Sequence, residues 1–467
     1  MTDSESSSES KSSKKSMFEE IQVIELNRSN FQQIWPYLLI SIKSADFIGL
    51  DLELSGLGGK GLRSKDIQER YQAIREAAKT RSILSLGIAT LKLVQKNEKK
   101  KRLRYQAQVF NIITLSEKPF TIEPNALKFL ARHNFDFNKL IKLGVQFQGA
   151  SGQCPLKALF FELFSSSSSL CLHNGLVDLA FIYQQFYGAE LPDNLDKFCC
   201  NLADLFPLDF LPVLDSKYLA EYSTRLPSSY LEYVFRRSQG DNLLERENSR
   251  FWVDVVFPEH RMEIVKQSMD VVKCALPDGF PNHPIPVDLH NHVCNSFAHH
   301  GFCQNPQNCV KLHDVDSAID LQRIKENKKA FKRKRRYHNI ISEGVVEEQL
   351  ENEMEWKKAK FENNLKVRDI KEKIVNRMAE NGLHRAGVDA FMTAFSVIFQ
   401  QRLELARDNS VSVEHANKLP LSGKDQPLQL THRQIIGTFE NHEHLENLAK
   451  IEKNREFVRN NAAKSMK

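Results

Sequence analysis

The sequence predicts an α/β protein with a mixed central sheet flanked by helices. Three observations point there. The opening third is rich in β-branched and aromatic runs. Helices and strands then alternate, which is how helices come to cover the faces of a sheet. Finally, a core-like helical segment, HRAGVDAFMTAFSVIFQQRLEL (384–405), returns after a long polar stretch, so the main domain is expected to be discontinuous.

The elements follow in order. IQVIELN (21–27) reads as a strand and NFQQIWPYLLISIKSA (30–45) as a helix. FIGLDLEL (47–54) is a buried strand, and DIQERYQAIREAAK (66–79) is a helix by period and propensity. SILSLGIATLKLV (82–94) and YQAQVFNIITL (105–115) read as two strands, with NEKKKR (97–102) as a hairpin tip between them. ALKFLARHNF (126–135) and PLKALFFELFSS (155–166) are helical, SLCLH (169–173) is a short strand, and LVDLAFIYQQFYG (176–188) is a helix with a strong apolar face. KYLAEYS (217–223) and SSYLEYVFRRS (228–238) continue the helical part.

At 467 residues, with 41% hydrophobic residues, the chain can bury a sizeable core. The net charge of +6 is modest, so the basic character is local. MTDSESSSESKSSKKS (1–16) has no apolar core of a signal peptide and reads as disordered. No stretch approaches the roughly 18–20 apolar residues of a membrane helix, so no membrane association is expected. Of eight cysteines, Cys154, Cys171, Cys199, Cys200 and Cys274 show no disulfide framework and read as reduced thiols.

Four carboxylates carry the chemistry. Asp51 and Glu53 lie two apart in a strand and therefore point to the same face. Side by side in an apolar strand they repel and cost desolvation, and residues 47–58 contain no lysine or arginine to compensate. A metal would compensate; a strand end facing water would also tolerate the pair. Asp178 follows a strand and turn, in the first turn of a helix, where a carboxylate also suits the helix dipole. Asp389 opens another helix, five residues after His384. Each has a structural reading when taken alone. Taken together they meet a specific need. Magnesium prefers oxygen ligands, and two such ions about 3.5–4 Å apart can hold the attacking and leaving oxygens of an in-line phosphoryl displacement. A histidine titrating near neutrality can accept the proton of the attacking water.

These residues resemble the DEDD-type 3′ exonucleases of the histidine-bearing subgroup, and within it the poly(A)-tail nucleases (deadenylases). ELSGLG after Asp51, RSILSLGIA (81–89), LHNGLVDLAFIYQQFY and VLDSKYLAEY (213–222) all look like that group. The resemblance implies an RNase H-like fold. It also implies that Asp51, Glu53, Asp178 and Asp389 bind two Mg2+ ions, with His384 as general base. His173 and Asn174 match as well and read as shaping the strand–helix turn; Asp215 and Lys217 stay open between structural and RNA-facing roles.

Cys294, Cys303, Cys309 and His313 form C-x8-C-x5-C-x3-H, the ligand set of one closed, structural Zn2+ site. Phe297 and Phe302 could stack on single-stranded RNA bases, but a unit this small also needs aromatics for its own core, and Phe297 reads first as that core. His299 and His300 are further candidate contacts. The run KKAFKRKRR (328–336), including Lys332, Arg333, Lys334, Arg335 and Arg336, reads both as a nuclear-import signal and as an RNA phosphate contact.

The expected organisation is a disordered tail (1–17), a nuclease domain in two parts (18–270 and 379–425), a Pro-rich linker (271–289) and a CCCH finger (290–316). A basic run and charged helical linker (317–378) and a basic C-terminal tail (426–467), expected to be mobile over 451–467, complete it. The expected function is a nuclear, Mg2+-dependent 3′→5′ exoribonuclease acting on RNA 3′ ends, with oligo(A) preferred. The resemblance extends this to small noncoding RNAs such as small nuclear RNAs. Partners would be RNA 3′ ends and the nuclear import machinery, with homo-oligomerisation left open. Two alternatives are a catalytically inactive RNA-binding scaffold and a DNA 3′ exonuclease.

Overall fold

The computed structural model describes residues 18–148, 154–277, 280, 292–306, 308–326, 385–431 and 441–465. Eleven strands are found among them: β1 (Glu20–Leu26), β2 (Phe47–Leu54), β3 (Ile83–Asn97), β4 (Arg102–Ser116), β5 (Val145–Phe147), β6 (Ser169–Leu172), β7 (Val213–Asp215), β8 (Trp252–Val256), β9 (Met269–Lys273), β10 (Lys418–Leu419) and β11 (Leu428–Gln429). The sheet runs β11-β10-β7-β6-β2-β3-β4-β1-β9, with β5 and β8 also pairing with β4. It is mixed, as expected. β2–β3 and β3–β4 are antiparallel, whereas β2–β6, β6–β7 and β1–β4 are parallel.

Two apolar layers cover it. One face carries helices Phe31–Lys43, Ile67–Thr80, Pro155–Phe164, Leu176–Ile182 and Leu195–Leu205. The other carries helices Leu231–Glu247 and Ala386–Gln400. The second of these is buried on nearly every side, which suits its sequence: residues 386–399 have no charged member except Asp389. Its partner strands make room for it. A Cβ at Gly49 would stand 2.1 Å from the Ala390 carbonyl oxygen, and one at Gly87 would stand 1.8 Å from that of Ala386. Only glycine lets helix and sheet approach backbone to backbone here.

Three expectations need correction. Residues 384–405 do not form one helix; Ala386–Gln400 ends at Gln401 and a second helix, Arg402–Asp408, follows. The mobile basic tail is instead a helix, His442–Ser465. Its amphipathic signal is weak because the anchors are polar. Arg455, 0% exposed, donates to the carbonyls of Phe164 and Leu205, and His444 contacts Asp204 and the Tyr187 hydroxyl. The finger also has no edge at 316: residues 315–326 are helical and bring Val315, Ala318 and Ile319 into buried contact with the unit before them. Strands β5, β7, β10 and β11 had no sequence signal, being two or three residues long. Most of the Pro-rich linker, residues 327–384 and the first seventeen residues lie outside the described residues. Among the described residues no helix is long and apolar enough to cross a membrane.

Candidate active site and metal centres

Strand β2 places Asp51 opposite Gly87 and Glu53 opposite Ser85 of β3. On its other edge β6 pairs only with Phe47–Gly49, so the strand is open on that side at the two acids. The chain leaves β6 through His173-Asn174-Gly175. Asn174 takes φ +60°, a left-handed conformation that asparagine tolerates. Helix Leu176–Ile182 starts there, with Asp178 in its first turn. From the opposite face of the sheet, the glycine seat brings in Asp389. Asn111 of β4 fixes the start of that helix, its Oδ1 accepting from the Gly387 N–H at 3.1 Å, and Arg385 pairs with Asp270 of β9.

Carboxylate oxygens of Asp51, Glu53 and Asp389 all fall within 4.8 Å of one another. Asp178 is not part of that group, but its charge acts on both Asp51 and Glu53. Glu53 is 9% exposed and Asp389 8%, while Asp51 and Asp178 keep a narrow opening to solvent. Burial and mutual repulsion favour the neutral acids. Asp51 is held well above its ordinary value by burial, then by Asp389, Asp178 and Glu53. Glu53 is pushed up to about 8 by burial and Asp178. Burial takes Asp178 to about 7, with Asp215 adding to it against a backbone N–H. Asp389 is raised well above the usual range by burial, then by Glu53 and Glu232. Every charged neighbour that moves these four is itself acidic. Asp389 Oδ1 is buried with no hydrogen-bond partner among the described residues. Three converging carboxylates, one with an orphaned oxygen, suit a divalent cation with a preference for oxygen. His384 lies outside the described residues, as does the basic run Lys332–Arg336.

The remaining matched positions have partners within the protein. Asp215 is fully buried, accepting from the Gly175, Lys217 and Tyr218 N–H groups at 2.9–3.0 Å; it supports the turn that aims Asp178. Lys217 Nζ pairs with Glu221 and Ser229 at 2.8 and 2.7 Å. His173 Nδ1 meets Ser216 Oγ at 2.8 Å; burial, then the Lys217 charge, lower its pKa to about 3. All three are engaged within the protein. Four positions were missed by sequence reasoning. Gly49 and Gly87 carried a signal, since glycine inside a strand marks a close backbone approach. Asn111 and Glu232 carried none.

The second cluster is local. Donor atoms of Cys294, Cys303, Cys309 and His313 lie within 4.8 Å of one another. A bridge between Val293 and Leu312 closes the segment, and helix Asn295–His300 ends at Gly301 with φ +74°. Three thiols and an imidazole fit zinc. Phe297 is 8% exposed and stacks on His313 at 5.2 Å, so it packs the unit, as the core reading of that ring expects, and the alternative of an RNA-stacking role does not fit it. Phe302 is 60% exposed, near the exposed His300. The five other cysteines are free thiols.

Comparison with known proteins bears on the first cluster. The chain is 22% identical over 421 residues to the poly(A)-specific ribonuclease PARN of Xenopus laevis, covering 80% of this chain and 62% of that protein. It is 25% identical over 156 residues to PARN of Danio rerio (30% of this chain, 22% of the relative). To the poly(A)-specific ribonuclease PNLDC1 of Mus musculus it is 24% identical over 143 residues (29% and 27%). The chain thus spans less than two thirds of these relatives' lengths. The S. pombe Pop2p structure in its Mg2+ and Mn2+ bound form aligns at 17% identity with a TM-score of 0.36, over 46% of this chain and 82% of Pop2p. The model of the CAF1 family ribonucleases matches residues 26–153 and 150–397, a span that starts before Asp51 and ends after Asp389, and the chain belongs to that family.

Proposed function

We propose that the protein is a divalent-cation-dependent 3′→5′ exoribonuclease of the deadenylase type. The observation that carries this is the convergence of Asp51, Glu53 and Asp389 with an orphaned, buried Asp389 oxygen. The family and the similarity to poly(A)-specific ribonucleases supply the substrate class.

Asp51, Glu53, Asp178 and Asp389 would hold two Mg2+ ions, which would neutralise charge on the scissile phosphate and favour ionisation of the attacking water. The chain's own part is to fix the donors. β2 sets the spacing of Asp51 and Glu53, Asp215 holds the turn before Asp178, and the glycine seat presses Asp389 towards them. His384 would accept the proton of the attacking water. Hydrolysis would release 5′-monophosphates one at a time. We further assign the chain to the zinc-finger-bearing nuclear subgroup similar to the target-of-EGR protein. It would enter the nucleus through residues 328–336 and trim oligo(A) or other 3′ extensions of small noncoding RNAs, including small nuclear RNAs. One zinc ion would sit at Cys294, Cys303, Cys309 and His313.

The test is a 5′-labelled RNA ending in oligo(A), incubated with Mg2+ beside Asp51→Ala and Asp389→Asn. A stepwise ladder that both variants abolish is expected. Binding without shortening, across several metals and 3′ sequences, would replace the nuclease reading with the scaffold. Equal shortening of a 2′-deoxy 3′ end would move the substrate to DNA.

A further inference from the structure

Helix Leu231–Glu247 packs against both the Cys3His unit and the helix that carries Asp389. At its start, Tyr230 lies 6.1 Å from Phe297 and 5.7 Å from Tyr233, both rings belonging to the finger's small core. Gly301 presses so closely on Tyr230 that a Cβ would come within 2.8 Å of the ring, and the buried Ser228 hydroxyl donates to the Ala298 carbonyl at 2.7 Å. One turn on, Arg236 Nε and Nη2 fork onto the two Asp316 oxygens at 2.9 and 2.7 Å. Its remaining donors reach Gln239 and the carbonyls of Cys274 and Ala275. Arg237 with Glu326 and Asp241 with Arg323 continue the contact along the helix. On the opposite face, Phe235 lies 6.3 Å from Phe391 and 5.7 Å from Phe395, in the helix that carries Asp389. Glu232, in the same first turn, acts electrostatically on Asp389.

An independent tether would meet the nuclease through an exposed polar contact. This contact contains buried aromatic rings and a buried guanidinium whose fork depends on Asp316, three residues past the ligand His313. We propose that the zinc-loaded Cys3His unit is a positioning device for the carboxylate site, holding helix Leu231–Glu247 through Tyr230, Tyr233 and Arg236 and so fixing Asp389 against Asp51 and Glu53. The inference rests on the metal-dependent nuclease reading above. Without zinc, Cys294, Cys303, Cys309 and His313 lose their common centre, and the Phe297–His313 stack and the placement of Asp316 go with it. A buried Arg236 deprived of its carboxylate must move or draw in water. The helix then shifts under Phe391 and Phe395, and Asp389 shifts with it.

The experiment uses the full chain and Mn2+ as the probe of the carboxylate site. Wild type, Cys309→Ser, Asp316→Asn and Arg236→Lys are titrated with Mn2+, with Asp51→Asn as the control that removes the site. Bound zinc is counted in each. The expected result is a loss of Mn2+ affinity of roughly 10-fold in Cys309→Ser, the scale seen when a metal ligand loses its support. Asp316→Asn should show a similar loss with its zinc still bound, and removing that zinc should add little. Turnover should fall in kcat more than in KM; a finger that only captures RNA would move KM. Unchanged Mn2+ affinity in Asp316→Asn and Arg236→Lys overturns the proposal, even if Cys309→Ser fails to fold. A wild type that shows no Mn2+ binding sensitive to Asp51→Asn would instead sink the nuclease reading itself.

Discussion

The two clusters are assembled by opposite routes. The Cys3His ligands occupy twenty consecutive positions, 294–313, and need one short helix, one glycine turn and one bridge to converge. The carboxylates come from a central strand, a strand–helix turn and a helix on the other face of the sheet, between residues 51 and 389. The local cluster can form with little help from the sheet. The distributed one inherits every placement error in three elements. Their electrostatics differ too: the acids repel one another in a buried place, whereas the thiols can share charge through a metal close to the surface. Removing a ligand should therefore have opposite stability effects at the two sites.

The largest effect is expected at the distributed site. Asp389→Asn should lower exonuclease turnover by about 10²–10³-fold or more, the scale of losing one precisely aimed electrostatic group. The same change should raise the melting temperature of the metal-free chain, because it relieves a buried like charge. Cys309→Ser should do the reverse at the local site, lowering the melting temperature of the zinc-loaded chain. Thermal melting with and without chelator reads both, and a fall in both variants would erase the contrast.

Gly87→Ala comes next. Its Cβ would strike the Ala386 backbone, which cannot swing aside as a flexible side chain could. A cost of about 3 kcal/mol is expected, measured by urea unfolding, together with loss of divalent-cation binding at the carboxylates. The zinc content should stay at one. A variant that keeps full Mn2+ affinity would show that the backbone seat does not place Asp389.

This asymmetry also governs what could be read without a structure. The Cys3His cluster was legible because its spacing is its geometry. The four acids were legible only as a set, since each alone reads equally well as a solvated strand end or a helix-capping acid. The long strands and amphipathic helices of the core showed their periods. The short strands β7, β10 and β11 did not, since two or three residues carry no period and are held by their neighbours. The C-terminal helix was misread for a related reason. Its basic composition suggests a solvated tail, but Arg455 is buried against carbonyls that only the folded chain brings together. Phe297 reads as the finger's core because so small a unit needs an aromatic one, and its stack on His313 agrees.

A pH profile sharpens the electrostatic side of the contrast. Unfolded, the four acids ionise near their ordinary values, 3.8 for aspartate and 4.5 for glutamate; folded, the proton is held until about 7 at Asp178 and about 8 at Glu53. The folded state thus binds more protons across that window, and the stability of the metal-free chain should fall as pH rises through it. Mg2+ should restore stability most at the upper end, where the acids are ionised and ready to bind. Melting curves from pH 5 to 8, with and without Mg2+, check this. A Mg2+ effect that is the same at both ends would mean that the carboxylates do not titrate as a buried cluster.

The smallest effect concerns the surface of the finger. Phe302 is exposed beside His300, whereas Phe297 is committed to the core. Phe302→Ala should leave melting and zinc content unchanged and weaken binding of single-stranded RNA by about 1 kcal/mol, the low end for loss of one stacked base. Phe297→Leu should lower the melting temperature, and its effect on RNA should follow only from that loss. Fluorescence anisotropy at fixed, moderate salt separates the two, since phosphate contacts of any basic segment strengthen at low salt and would mask a single ring. If Phe302→Ala binds RNA as wild type does, the finger's contribution to the enzyme reduces to the support it gives Asp389 through helix Leu231–Glu247.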